Sequence, residues 1–159
     1  MTRKEQYNQL ILQIAGLIKD ETNLVGILAN VSAALHDAFP ERFFWVGFYL
    51  QENGNMLRLG PFQGSVACYV IPFGKGVCGK AWEEERTLIV PDVEKFPGHI
   101  ACSSLSRSEI VVPMYDDSHT FRGVLDIDST RLNDFNEDDI EGLERIIELL
   151  MAETQDLFQ

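Results

Sequence analysis

The sequence predicts an α+β fold, in which the middle of the chain forms an antiparallel sheet and helices from both chain ends pack on one face. At both ends of the chain, apolar residues recur at helical spacing. The middle instead contains short aromatic and β-branched runs separated by turn residues. Helices that are segregated from strands along a chain are typical of α+β folds. The length of 159 residues indicates a single domain, residues 1–159.

The first two segments are predicted to be amphipathic helices. In the first, the apolar stripe consists of Tyr7, Leu10, Ile11, Ile14, Leu17 and Ile18. The second helix carries a stripe from Leu24 to Phe39 and ends before Pro40. Either Thr22 or Asn23 is expected to be its N-cap.

Short strands follow, and the first two are joined by Asn53-Gly54, a strong hairpin signal. Glycines after residue 73 are expected to turn the chain into a short helix within 74–86, and a long loop is expected at 94–106. The predicted strands are 43–50, 56–62, 66–73, a short extended piece at 87–93, 108–115 and 121–129.

The last helix is predicted to begin at "NEDDIEGL", where Asn136 and Asp139 have the spacing of a capping box. Its inner face is formed by Ile140, Leu143, Ile147, Leu150 and Met151. The terminal helices then cover one face of the sheet, while the loops and the inserted helix cover the other. We expect the ligand site to be a pocket between this second cover and the sheet.

Charge and hydropathy disfavour several partners. The net charge of −12 argues against binding to a nucleic-acid backbone. From residue 133 onwards there are nine acidic residues and one arginine, which is typical of a solvated helix face. No apolar run is long enough to span a bilayer. The chain opens on an amphipathic pattern instead of a signal peptide, so we expect a cytoplasmic protein with no membrane partner.

Three carboxylates are candidates for a functional cluster. Asp126 and Asp128 are two residues apart on a predicted strand and therefore share one face, whereas Leu125 and Ile127 face the helices. Glu109 begins the neighbouring predicted strand and can face the same way. Such a cluster could bind a substrate ammonium group. It could also keep one of the acids protonated, so that this acid donates a hydrogen bond. The alternative interpretation is three solvated acids at strand ends.

Three cysteines, in a compartment expected to be reducing, argue against a structural disulfide framework. Cys102 lies in a polar loop, where a thiol is either an accessible nucleophile or idle. Cys68, in a predicted strand, and Cys78, near the inserted helix, also fit small core positions.

His99 precedes Cys102 by three residues, but neighbours in sequence seldom have the geometry of a catalytic pair. A zinc site formed by Cys68, Cys78, Cys102 and His99 has the right number of ligands. Zinc sites, however, usually contain close pairs such as C-x2-C, and none is present here. We therefore expect no metal site.

The first predicted strand carries Trp45 and Tyr49 four residues apart, and hence on one face. They could form an apolar wall for a methyl or thioether group. Aromatic residues at this spacing are also common in protein cores.

Three segments together resemble the free methionine-(R)-sulfoxide reductases, enzymes built on a single GAF domain. The segments are "GVCGKAW" (76–82), "GHIACSSLSRSEIVVP" (98–113) and "GVLDIDS" (123–129). Each is weak alone, but their order and the cysteine spacings of 10 and 24 residues make the resemblance specific. It extends over nearly the whole chain, from the first helix to the last.

The resemblance implies a GAF-like fold with about six antiparallel strands, and reduction of free L-methionine (R)-sulfoxide to methionine. Cys102 would be the attacking thiol, forming a sulfenic acid, and Cys68 would resolve it as a disulfide, with Cys78 as an alternative partner. Glu109 would supply a proton. The implied substrate-binding residues are Trp45, Tyr49, Glu109, Asp126 and Asp128.

The resemblance also implies that a thioredoxin-like dithiol regenerates the enzyme, that no bound cofactor takes part, and that the protein is a homodimer. One departure is visible, because family members commonly have Asp where Ser103 follows Cys102. The alternative function is a non-catalytic GAF module that binds a small ligand or senses redox state. Such a module is normally joined to an output domain, which we do not expect within 159 residues.

Overall fold

The structure is a computed structural model, and it describes residues 1–158. Its helices are α1 (Arg3–Ile18), α2 (Leu24–Ala38), α3 (Gly76–Glu84) and α4 (Glu137–Thr154), and two short 3-10 helices lie at Val93–Lys95 and Gln155–Leu157. Its strands are β1 (Trp45–Glu52), β2 (Met56–Gln63), β3 (Val70–Pro72), β4 (Leu88–Val90), β5 (Ser108–Tyr115) and β6 (Phe121–Ser129).

The strands form one six-stranded sheet in the order β3-β2-β1-β6-β5-β4. Every neighbouring pair is antiparallel. The Asn53-Gly54 turn joins β1 to β2, and both residues have positive φ, as a tight hairpin turn requires. The α+β prediction with an antiparallel sheet is confirmed.

Each face of the sheet buries its own hydrophobic core. On one face, α1, α2 and α4 cover a cluster that includes Phe48, Leu125 and Ile127. On the other face, α3 and the loops cover a smaller cluster that includes Val111 and Val124. Within residues 1–158, no helix combines the length and the apolar character needed to cross a bilayer.

The terminal helices are fixed to each other by Asp139. Asn136 and Asp139 form the predicted capping box at the start of α4. The buried Asp139 carboxylate also accepts hydrogen bonds from the Tyr7 hydroxyl at 2.6 Å and from Arg42 at 3.0 Å. Asn23 caps α2, while a second capping box, from Thr2 to Glu5, begins α1 without having been predicted.

The third predicted strand is wrong in extent, since only Val70–Pro72 is a strand and Cys68 lies in the preceding loop. The carbonyls of Ser65 and Cys68 accept hydrogen bonds from the Trp45 and Tyr49 side chains, and these bonds fix the segment as a loop. Val66 is 87% exposed, which also contradicts a core-facing strand.

Leu17 is 42% exposed, although the sequence placed it on the inner stripe of α1. At 3.6 residues per turn, a residue ten positions after Tyr7 is rotated by about 80° from it. Ile18, eleven positions after Tyr7, returns to within about 20° of it and is buried. Helical geometry therefore accounts for the difference.

Candidate active site

The register of the sheet brings the three candidate acids together. Glu109 of β5 lies opposite Asp128 of β6, and Asp126 lies two residues along the same strand. All three side chains face α3, whereas Leu125 and Ile127 pack against the terminal helices. The structure therefore places the acids in one cluster on the face that sequence periodicity indicated.

A pocket between the sheet, α3 and the loop before β5 contains this cluster. About 510 Å³ at this pocket is not filled by protein atoms, and this volume includes open solvent at the pocket mouth. Seven of the eight candidate site residues line it, namely Trp45, Tyr49, Cys78, Cys102, Glu109, Asp126 and Asp128. The eighth, Cys68, is covalently bonded to Cys102.

Burial keeps the acids from ionising together. Loss of water contact, and then the charge of Asp128, raise the pKa of Glu109 to about 8. Burial also raises the pKa of Asp126 and of Asp128 well above the ordinary value, and a neighbouring carboxylate adds to each shift. At neutral pH the cluster therefore retains protons, so that it contains hydrogen-bond donors as well as acceptors.

The structure joins Cys68 and Cys102 in a disulfide, with their Cα atoms 5.5 Å apart and a sequence separation of 34. This is the pairing that the family resemblance implies, and a single bond at the pocket is not the structural disulfide framework that the composition argues against. Two of the four residues of the hypothetical zinc site are bonded to each other, so that site is not formed here. The disulfide lies at the pocket, because Cys102 lines it.

Cys78 is the remaining free thiol, and it is only 2% exposed. Burial, followed by the charge of Asp126, raises the pKa of Cys78 well above the usual value. A thiol that stays protonated is a poor nucleophile. The environment of Cys78 therefore differs from that of the half-buried Cys68 and Cys102.

Trp45 and Tyr49 form an aromatic wall, with ring centroids 5.9 Å apart. Each also fixes the loop that carries Cys68. The Trp45 indole donates to the Ser65 carbonyl, and the Tyr49 hydroxyl donates to the Cys68 carbonyl, both at 3.0 Å. Burial raises the pKa of Tyr49, which keeps the hydroxyl a neutral donor.

Two polar residues in the pocket were not selected from the sequence. His99 Nε2 lies 3.7 Å from Glu109 Oε1, and burial lowers the pKa of His99, which favours a neutral imidazole. Ser106 hydrogen-bonds the Asp128 side chain. His99 is considered from the sequence as a partner of Cys102 and as a zinc ligand, but not as a neighbour of Glu109, and Ser106 is one of several similar serines. Ser103 Oγ accepts from the Leu105 backbone N–H at 3.2 Å, the local turn contact expected of serine.

Comparison with known proteins gives consistent matches. Residues 21–152 match the family described as GAF domain. GAF domain-containing protein A of Dictyostelium discoideum is 57% identical over 149 residues, which cover 94% of this chain and 92% of that protein. The free methionine-R-sulfoxide reductase of Saccharomyces cerevisiae is 43% identical over 155 residues, covering 94% of this chain and 86% of the yeast protein.

The fold comparison agrees with the sequence comparison. The X-ray structure of free methionine-R-sulfoxide reductase from Neisseria meningitidis in complex with its substrate has a TM-score of 0.93 and 46% identity to this chain. The match covers 98% of this chain and 92% of the Neisseria chain. On the strength of this similarity in both sequence and fold, the chain belongs to the free methionine-R-sulfoxide reductase family of GAF-domain oxidoreductases.

Proposed function

We propose that this protein reduces free L-methionine (R)-sulfoxide to L-methionine through attack of the Cys102 thiolate on the sulfoxide sulfur. The observation that carries the proposal is the position of Cys102, which is bonded to Cys68 and lines the same pocket as three buried acids. The substrate complex of the Neisseria relative, at a TM-score of 0.93, supports the choice of substrate class.

The pocket suits a small zwitterionic sulfoxide. Asp126 and Asp128 line the pocket, and in this proposal they receive the substrate ammonium group, because carboxylates and a cation stabilise one another in a site with little water. The Trp45 and Tyr49 rings offer an apolar surface for the sulfoxide methyl group. An ammonium group enclosed by carboxylates leaves no space for a peptide bond, so the proposed substrate is the free amino acid.

Glu109 is the proposed general acid. With a pKa of about 8, it holds a proton at neutral pH and can pass it to the sulfoxide oxygen. Protonation makes the sulfur more electrophilic, and the Cys102 thiolate attacks it. The attack joins the Cys102 sulfur to the substrate sulfur. The hydroxyl group then transfers from the substrate sulfur to the Cys102 sulfur, the bond between the two sulfurs breaks, and methionine leaves with Cys102 as a sulfenic acid. The substrate sulfur gains the two electrons that the Cys102 sulfur loses.

The Cys68 thiolate then attacks the Cys102 sulfur, and the sulfenic oxygen leaves as water. The product is the disulfide between Cys68 and Cys102. An external thioredoxin-like dithiol reduces this disulfide by exchange and becomes oxidised itself. All electrons therefore come from thiols, and the proposed cycle needs no bound cofactor.

Replacing Cys68 with serine tests the resolving role. We expect Cys68→Ser to release about one methionine per chain in a fast burst, because the attack needs only Cys102. Recycling by a dithiol protein then becomes slow, since no disulfide can form between these positions. Rapid-quench measurement of methionine, with thioredoxin and its reductase as electron source, separates the burst from steady turnover.

The matched comparison is Cys78→Ser, which removes the other candidate resolver. If Cys78 resolves the sulfenic acid, Cys78→Ser shows the burst alone and Cys68→Ser turns over steadily. That pattern would overturn the assignment of Cys68.

A further inference from the structure

Cys78, Glu109 and Asp126 place one sulfur and two carboxylate groups together at the bottom of the pocket. The Cys78 Sγ and one oxygen from each acid all lie within 4.8 Å of one another, and all three residues are buried. Tetrahedral zinc, with bonds of about 2.0–2.3 Å, holds its ligand atoms roughly 3.5 Å apart. Small side-chain rotations would bring these three atoms to that separation.

An unsatisfied polar atom points to a missing ligand at the same place. Asp126 Oδ1 is buried and has no hydrogen-bond partner within residues 1–158. A buried carboxylate oxygen without a partner is costly, and native proteins seldom leave one. A bound cation would satisfy this oxygen and would also offset the repulsion between Asp126 and Glu109.

We propose that Cys78, Glu109 and Asp126 form a binding site for a thiophilic divalent cation such as Zn²⁺. A thiolate together with carboxylates suits zinc or cobalt better than magnesium or calcium, which prefer oxygen ligands alone. His99 Nε2 lies 3.7 Å from Glu109 Oε1 but is not part of this group of mutually close atoms, so a water molecule would complete the coordination of the ion. This site is distinct from the four-residue zinc arrangement considered from the sequence, because it uses neither Cys68 nor Cys102.

Binding exchanges protons for the metal ion. The ion displaces the Cys78 proton and any proton shared between the two acids, so its affinity rises with pH. The bound ion occupies Asp126, which is proposed to receive the substrate ammonium group, and Glu109, the proposed general acid. If the proposed function holds, zinc is therefore a competitive inhibitor. The inference therefore adds a cation to the pocket that the reductase reaction does not require.

Cobalt titration of the disulfide form isolates Cys78. The chain has three cysteines, and the other two are bonded to each other in that form, so a thiolate-to-cobalt charge-transfer band can come only from Cys78. We expect the band to saturate at about one Co²⁺ per chain and to disappear on addition of Zn²⁺. The readout is optical and needs no turnover, so failure of the proposed reaction does not affect it.

Variants test which residues bind the Co²⁺ ion. Asp126→Asn should weaken Co²⁺ binding at least about tenfold, because mutating even a residue that only hydrogen-bonds a metal ligand lowers metal affinity by about that much. The control Glu85→Gln changes an exposed acid that does not line the pocket and should leave the affinity unchanged. Cys78→Ser should remove the band, and the double variant Cys68→Ser with Cys102→Ser should keep it. Absence of the band in the disulfide form, or its survival in Cys78→Ser, would overturn the proposal.

Discussion

Cys102→Ser is expected to abolish methionine formation, with a loss of roughly three orders of magnitude or more in turnover. A serine hydroxyl is far less nucleophilic than a thiolate towards sulfoxide sulfur and forms no sulfenic acid. Burial and raised pKa keep Cys78 from taking over the attack. The measurement is methionine release from free methionine sulfoxide, with dithiothreitol as reductant.

Cys68→Ser is a well-matched control for this experiment. Both variants lose the same disulfide, so any cost to folding from its absence is shared. Dithiothreitol reduces a sulfenic acid directly and bypasses the resolving thiol. Under these conditions Cys68→Ser should turn over while Cys102→Ser should not. Substantial turnover by Cys102→Ser would remove it from the role of nucleophile.

Glu109→Gln is expected to lower kcat by about 10²–10⁴-fold, the usual contribution of a general acid. Glutamine keeps the size of the side chain but cannot donate the proton. In the parent protein, turnover should fall as the pH rises through about 8, because Glu109 then ionises. The fraction of Cys102 that is thiolate rises with pH and would increase kcat. A decrease in kcat at alkaline pH is therefore caused by the ionisation of Glu109. The variant should lack this decline.

The same substitution should stabilise the fold at high pH. Because the pKa of Glu109 is raised from 4.5 to about 8 on folding, the native state holds more protons between these values. The stability of the parent protein therefore falls as the pH rises through this window. Glu109→Gln removes the ionisation, so its melting temperature should decrease less between pH 5 and pH 9.

An exposed acid gives the control for both effects. Glu94→Gln changes a carboxylate at the surface and should alter neither the pH profile nor the melting temperature. If Glu109→Gln kept the alkaline decline in kcat, another group would be the acid. If its melting temperature changed with pH as in the parent, the ionisation of Glu109 would not be the cause.

The acid pair of the site could be predicted because strand periodicity is local. Asp126 and Asp128 share a face whatever the neighbouring strands do. The pairing of Glu109 with Asp128 depends on register between strands, which the sequence alone does not specify, so the sequence indicates only that Glu109 can face the same way as the two aspartates. The raised pKa values depend on burial by α3 and the loops, which is a tertiary property.

The conformation around Cys68 and the disulfide pairing could not be predicted from local sequence patterns. The alternating residues around Cys68 are typical of a strand, but side-chain hydrogen bonds from Trp45 and Tyr49 hold this segment as a loop. The Cys68–Cys102 bond spans 34 residues, and such connectivity does not follow from spacing. The position of His99 beside the acids was equally hidden, because Glu109, whose Oε1 lies 3.7 Å from His99 Nε2, is ten residues away in sequence.

The central claim is stereospecific reduction of a free amino acid sulfoxide by this pocket. Its most direct test is methionine release from the separated R and S epimers of free methionine sulfoxide, with dithiothreitol as reductant. The account predicts turnover of the R epimer and none of the S epimer, and no reduction of the same sulfoxide within a peptide. A folded, reduced protein that turned over neither epimer would contradict the account and favour a ligand-binding GAF module.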